Sequence, residues 1–376
     1  MSFTFRKITG FSALLVILLI SSQCYAADLT ENLKKLHLPD GFGIEIFSDN
    51  VPGARSMALD LASGYLFVTT RGDRVYAVKY QQQDQKAGKV TTILDDQHVA
   101  NGIALHDGML YIAEQNRITR YPLQGFTPEE PFADKGEVIY DKLPDKSWHG
   151  WRYLEFSPEG KLYVTVGVPC NICDTDAPFG SILRMNPDGS DAEVFAHGIR
   201  NSVGMAFQPG TGTLFFTDNN TDMMGDDIPP GELNAAPKAG MFFGFPYYAG
   251  GHVQHPDWKG KTPPQEVTFP VVEFDAHSAP LGVEFYTGKL FPEKYRNDAF
   301  VVNHGSWNRS VPIGYRLMHV MFDQDGKVTG HEIFIDGWLQ NNRAWGRPVD
   351  ILQLPDGSLL VSDDQAGVIY RVYYKK

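Results

Sequence analysis

The chain has 376 residues, 43% of them hydrophobic and 21% charged, enough to bury a large core and too apolar for a disordered polymer. Lys and Arg number 33 against 45 Asp and Glu, a formal charge of −12, which argues against a nucleic-acid binder or a protein held on anionic lipid and leaves a small molecule as the expected ligand. Glycine at 37 and proline at 24, beside 24 Phe and 17 Tyr, describe aromatic-rich strands broken by tight turns, so an all-β fold is favoured.

At the N-terminus, Arg6 and Lys7 precede an apolar run from Phe11 to Ile20, followed by Ser21-Ser22-Gln23 and Cys24-Tyr25-Ala26. This is the pattern of a signal peptide over residues 1–26, with cleavage expected after Ala26. The apolar run is shorter than the about 20 residues that span a bilayer, and no other long apolar run follows, so no stable membrane insertion is expected. Ser21-Ser22-Gln23 is a poor context for lipidation of Cys24. Arg6 and Lys7 are the only charged residues of this segment, so its removal takes the formal charge from −12 to −14. The expected product, residues 27–376, is acidic and periplasmic or secreted, with a short helix over residues 28–36.

The rest of the chain repeats one hairpin: an apolar stretch, a turn with Gly, then Leu or Phe followed by β-branched or aromatic residues. The copies run Met57–Val68, Gly102–Ile112, Tyr153–Val164, Val203–Phe216, Leu281–Val302 and Val349–Val361. Taking Val68, Ile112, Val164, Phe216, Val302 and Val361 as equivalent, the spacings are 44, 52, 52, 86 and 59 residues. Outer strands follow most copies, at Arg74 to Tyr80, Arg117 to Tyr121, Ser181 to Met185, Leu317 to Phe322 and Val368 to Tyr373. Four-stranded units at this period are propeller blades, because a lone twisted sheet cannot bury both faces until neighbours pack against it. The expectation is one six-bladed β-propeller with a long insertion at about 219–276.

Two cysteines remain in the expected mature chain, Cys170 and Cys173. In an oxidising compartment a local disulfide is the first reading; a redox pair or a metal half-site shares the spacing, and Asp174 stands where covalent haem attachment needs His.

In each blade the first two strands form an antiparallel hairpin, so residues just before the first and just after the second share one mouth of the channel. Before first strands stand Arg55, Asn101, His149, Arg200-Asn201, His277-Ser278 and Arg347; after second strands stand Arg71, Glu114-Gln115, Asp218-Asn219, Asn303-His304 and Asp363-Asp364. These groups face one concave opening, where a ligand should sit. Arg200 and Arg347 either hold inter-blade salt bridges or pair with an anionic ligand, since guanidinium binds carboxylates bidentately. His149, between Trp148 and Trp151, either donates to a loop carbonyl or acts on a substrate. Asp222, Asp226, Asp227 and Glu232 are either hydrated loop acids or oxygen ligands for a hard cation. No P-loop, dinucleotide fingerprint or nucleophile elbow stands in a convincing context.

The runs His149-Gly-Trp-Arg-Tyr-Leu-Glu-Phe-Ser-Pro-Glu-Gly-Lys-Leu-Tyr-Val-Thr-Val-Gly167, His197-Gly-Ile-Arg-Asn-Ser-Val-Gly-Met-Ala-Phe207, Gly346-Arg-Pro-Val-Asp350 and His304-Gly-Ser-Trp-Asn-Arg309, in this order, resemble the soluble pyrroloquinoline-quinone-dependent sugar dehydrogenases, above all the sorbosone dehydrogenase-like branch. The resemblance covers nearly the whole expected mature chain. It implies that His149 is the general base taking the proton from the substrate hydroxyl as hydride passes to the quinone. It implies that Arg200, Asn201 and Arg347 lie against the cofactor, and that Asn220 and Thr221 bind calcium through main-chain carbonyls. His277 stands where the sugar enzymes have a threonine near the cofactor, and Arg309 is the expected substitute for the family's cofactor lysine. The family's acidic partner of the base is replaced by Trp148, and its substrate-contacting glutamine by Ala100. The implied substrate is an aldose or sorbosone-like sugar, with electrons passed to an external acceptor, a cytochrome or a quinone. Two other classes use such a scaffold: a calcium-dependent lactone hydrolase and a non-catalytic carbohydrate-binding propeller.

Overall fold

The computed structural model describes residues 29–83, 85–130 and 132–375; the export segment read from residues 1–26 lies outside them. Residues 29–33 form one helical turn, within the stretch where a short helix is expected. Beyond it the regular secondary structure is nearly all strand, arranged as six blades of a β-propeller. No helix among the described residues is long and apolar enough to cross a membrane.

Blade 1 consists of Ala54–Asp60, Tyr65–Thr70, Val75–Gln81 and Lys86–Leu94, and blade 2 of Gly102–His106, Met109–Ala113, Ile118–Pro122 and Glu137–Tyr140. Blade 3 is built from Leu154–Phe156, Leu162–Val166, Ser181–Met185 and Glu193–His197, and blade 5 from Pro280–Phe285, Ala299–Asn303, Arg316–Phe322 and Val328–Ile335. The inner hairpins close on the turns that the repeat marks; in blade 3, Ser157-Pro158-Glu159-Gly160 turns with Gly160 at φ 77°, open to glycine at little cost. Second strands such as Leu162–Val166 are buried at every position, because each sheet is covered on both faces by its neighbours. The core is therefore a set of seams. Phe67, Ile93, Ile103, Leu110 and Ile112 join blades 1 and 2, while Phe215, Leu233, Val283, Phe285 and Val301 join blades 4 and 5. Each such side chain contributes about 1.5–3 kcal/mol on burial.

Two arrangements were not readable from the repeat. Blade 6 takes Pro348–Gln353, Leu359–Asp363 and Val368–Tyr374 from the C-terminus and its outer strand, Phe42–Ser48, from the other end of the chain, which closes the ring. The stretch at 219–276 is only partly an excursion. It supplies the third and fourth strands of blade 4, Gly231–Ala236 and Val272–Phe274, which join Met205–Phe207 and Leu214–Asp218. Between them, Met241–Phe242 crosses to the edge of blade 3, and Tyr248–Gly250 pairs with Val253–Gln254 as a small ribbon.

Candidate functional site

Strand register sets the floor of the site. Met57, Ile103, Leu154, Met205, Val283 and Ile351 pair with Val68, Ile112, Val164, Phe216, Val301 and Val361, so the residues two places earlier occupy one level of the channel. They are Arg55, Asn101, Arg152, Val203, Leu281 and Val349. In blades 1, 5 and 6 the inner strand pairing is interrupted here, between Ala54 and Met57, Pro280 and Val283, and Pro348 and Ile351. Such bulges re-aim side chains. Val203, Leu281 and Val349 pack together with Trp151, whose ring lies 5.2 Å from the Arg55 guanidinium and 5.7 Å from that of Arg71. Arg55 Nε donates to Asn101 (2.8 Å), and Asn101 Nδ2 to the Arg152 carbonyl (2.7 Å). The floor is apolar under blades 4–6 and hydrogen-bonded under blades 1–3.

Above it opens a cavity of about 510 Å³, reached by His149, Arg200, Asn201, Asn220, His277 and Arg347 among the sequence-predicted residues. His149 sits at φ 52°, in the left-handed region, and its carbonyl accepts from Arg152 Nη1 (3.2 Å). Its Nδ1 lies 2.7 Å from the Val168 carbonyl, which can only accept. Nδ1 therefore carries the proton and Nε2 the lone pair. Burial, with the nearby charge of Arg200, lowers the imidazole pKa to about 3 against the opposing effect of the Val168 bond. The first reading of His149 therefore holds, since one nitrogen donates to a loop carbonyl, and Nε2 is left with a lone pair.

The arginines divide by how many donors they have left. A guanidinium has five N–H groups. Arg200 gives Nε to the Asn171 carbonyl (2.8 Å), Nη1 to the Asn219 carbonyl (2.9 Å), and Nη2 to Asn171 Oδ1 and Asp222 (both 2.8 Å). One Nη1–H remains, too little for a bidentate clamp. Arg347 gives only Nε, to Asp364 (2.6 Å), and Arg71 makes no ion pair among the described residues. Asp364 also receives Arg55 Nη1 (3.2 Å) and faces His304 Nε2 (3.2 Å). Burial alone would raise this carboxyl, but the His304 hydrogen bond and the charges around it hold it far below the usual carboxylate range. Burial pulls His304 down to about 4. Among the described residues, Asp222 is the one carboxylate that lines the cavity, against Arg55, Arg71, Arg200 and Arg347. The site has a positive field.

Several polar atoms at the cavity are buried without a partner: Trp151 Nε1, Asn201 Oδ1, and both Asn308 side-chain atoms. Buried polar groups are almost always bonded, so these atoms suit a ligand that offers both acceptors and donors. Next to Asn220, Thr221 is 1% exposed and its Oγ1 is likewise unpaired, and the Asn220 and Thr221 carbonyls accept no hydrogen bond among the described residues. Among the described residues no three His, Cys, Asp or Glu side chains converge there, so a cation would rely on such neutral oxygens. The residues present fit both a polyanionic planar group and a hard cation beside it.

Arg309 does not line the cavity. Its guanidinium goes to the Asp226 and Ala276 carbonyls and to Asp227 (3.6 Å), and Ser310 N donates to Asp226 (2.9 Å). His277 Nε2 reaches the Gly225 (2.8 Å) and Ile228 (3.1 Å) carbonyls from the same side. Both residues cross-link the loops that form the mouth. Sequence reasoning passed over Asn171, Arg152 and Trp307, and placed Arg71, His304 and Asp364 at the mouth without a role. The donor count that separates Arg71 from Arg200 exists only in three dimensions.

The family model for glucose/sorbosone dehydrogenase matches residues 110–371. An uncharacterised protein of Borreliella burgdorferi is 34% identical over 97% of both chains. The aldose sugar dehydrogenase YliI of Escherichia coli is 26% identical over 62% of this chain and 63% of that one. The pyranose dehydrogenase PQQ domain of Coprinopsis cinerea, solved in its holo form, shares the fold at a TM-score of 0.73 and 19% identity, covering 90% of this chain and 97% of that one. With a positive cavity at the mouth of six blades, and a family model spanning most of them, this chain belongs to the glucose/sorbosone dehydrogenase family.

Proposed function

We propose that the chain is an exported quinoprotein that oxidises an aldose or sorbosone-like sugar, with His149 as the general base. The observation that carries this reading is the pairing of a neutral, oriented imidazole with a cavity walled by arginines. When bound, pyrroloquinoline quinone supplies the hydride acceptor, and calcium polarises its carbonyl as a Lewis acid. Arg71 and Arg347, which keep the most free N–H groups, hold carboxylates; Arg200 adds one hydrogen bond, and Asn201 and Asn308 offer their unpaired atoms. Asn220 and Thr221 supply oxygens to the cation, and Thr221 Oγ1 is available beside them. His277 and Arg309 hold the mouth loops closed against each other. His149 Nε2 takes the proton of the substrate hydroxyl, and the Val168 bond keeps the ring from turning its protonated side inward.

At the mouth, Trp148 and Trp307 are 55% and 71% exposed and line the cavity, an arrangement suited to the apolar faces of a pyranose ring. A lactone hydrolase that holds its metal by acids does not suit a mouth with four arginines and one carboxylate. The test is to add pyrroloquinoline quinone and calcium to purified protein, remove excess, and assay dye reduction with a panel of aldoses. Retained quinone absorbance and sugar-dependent reduction are expected; loss of all quinone on washing together with no turnover of any sugar overturns the reading.

A further inference from the structure

Two groups on which the cavity depends, the His149 imidazole and the Arg200 guanidinium, are tied to one short segment, residues 168–171. The Val168 carbonyl accepts from His149 Nδ1, and the Val168 N donates to the Arg200 carbonyl (2.9 Å). Three residues on, Asn171 accepts Arg200 Nε on its main-chain oxygen and Nη2 on Oδ1. The same Oδ1 accepts from Asp222 N (2.9 Å), and Nδ2 donates to the Asp222 carbonyl (3.0 Å). Asp222 in turn pairs with Arg200 (2.8 Å). Asn171 is thus the joint of a closed Arg200–Asn171–Asp222 triangle.

The residues around Asn171 have no regular secondary structure to fix them. A bend of this kind loses conformational freedom when it is ordered, and Pro169 restrains only its N-terminal side. The Cys170–Cys173 disulfide encloses Asn171 in a small covalent ring and removes part of that freedom beforehand.

We propose that Asn171, held in the Cys170–Cys173 ring, is a positioning residue that fixes Arg200 against the cavity with its single spare Nη1–H presented to the ligand. The ring therefore serves the site, beyond any general stapling of the fold. What Arg200 serves rests on the functional reading above, whereas the arrangement itself is testable without it.

The test is a double-mutant cycle on quinone binding, read by quenching of tryptophan fluorescence on titration with pyrroloquinoline quinone in calcium. Asn171→Ala and Arg200→Ala are each expected to weaken binding about tenfold, the scale of one hydrogen bond to a charged group. If Asn171 acts through Arg200, the double variant binds no more than about twofold worse than Arg200→Ala. Multiplying losses in the double variant overturn the proposal.

Cys170→Ser/Cys173→Ser gives a second arm that needs no quinone. With 15N-labelled arginine, the Arg200 Nε–H is expected to exchange slowly with solvent in the unmodified protein and at least tenfold faster in this variant. Equal protection in both overturns the proposal. If the unmodified protein binds no quinone, the functional reading fails alone and this arm decides the inference.

Discussion

Gly167→Ala places one methyl group against the proposed base. Gly167 directly follows the second strand of blade 3, and a Cβ there would lie 2.6 Å from His149 Cβ, 2.9 Å from the His149 carbonyl oxygen and 3.1 Å from Asn201 Oδ1. Carbon atoms rest at about 3.5–4.0 Å, so the overlap with His149 Cβ is about 1 Å. His149 has little room to yield. Its backbone is already at φ 52°, Arg152 holds its carbonyl, and Nδ1 is bonded to Val168, the residue next to the new methyl. The ring must therefore move by about 1 Å, a displacement that costs on the order of 100-fold in a positioned reaction, or about 2.7 kcal/mol in the barrier. Overpacking itself is expected to destabilise the fold by about 1–3 kcal/mol. The assay is kcat for sugar-dependent dye reduction at saturating quinone and calcium, with retained quinone and Tm measured on the same preparation. A folded, quinone-retaining variant with unchanged kcat would refute the assignment of His149 as the base.

Because burial holds His149 near a pKa of about 3, its Nε2 stays unprotonated well below neutrality, so kcat/KM should show no acid limb near 6.5; a limb at that pH would show a base of ordinary basicity at work. Glu284, on the inner strand of blade 5, is pushed up to about 8 by burial and by Glu155 and Asp350. The folded state then keeps a proton that the unfolded chain releases above about 4.5, so stability falls as pH rises through 4.5 to 8; Glu284→Gln should raise Tm at pH 8.5 and leave it nearly unchanged at pH 4.5, and an equal effect at both would refute the titration. Arg71→Ala should weaken quinone binding about tenfold, while Arg309→Ala leaves affinity within about twofold and lowers Tm; the reverse pattern in a binding titration would show that the donor count misidentifies the clamp.

How far the sequence reached depended on whether the determining contacts are local. The inner hairpins and most third strands were legible because each is a short apolar run closed by its own glycine turn, as at Ser157–Gly160. The outer strand of blade 6 was not, since Phe42–Ser48 pairs with Val368–Tyr374 across nearly the whole chain and nothing near Phe42 marks its partner. Blade 4 was obscured because its third strand, Gly231–Ala236, is separated from its fourth by a strand lent to blade 3 and by a ribbon. At the site, position was legible but occupation was not. The hairpin argument brought Arg200 and Arg347 to one mouth, yet only the structure shows that four of the five Arg200 N–H groups are already used. Arg309 was read by its type and place in a motif, whereas its guanidinium turns to Asp226, Asp227 and Ala276.

The six blades repeat in register but not in chemistry, and the departure from symmetry is what makes a site. At one level of the channel the repeat delivers six equivalent positions, and three of them carry Arg55, Asn101 and Arg152 while the other three carry Val203, Leu281 and Val349. A symmetric ring of either kind would be a salt-bridged plug or a greasy one. The split floor, with the Arg55 and Arg71 guanidinia 5.2 and 5.7 Å from the centre of the Trp151 ring, offers an aromatic face bordered by cations. Strain gathers above it: His149, His277, Ala279 and Tyr315 all line the cavity in the left-handed region, each at a cost of about 1–3 kcal/mol that only a rigid surrounding sustains. Side chains held against their backbone preference, over a floor that is apolar on one side and charged on the other, favour a flat ligand whose edges are anionic and whose faces are not. That requirement, more than any single residue, is what supports the proposed quinone as the ligand.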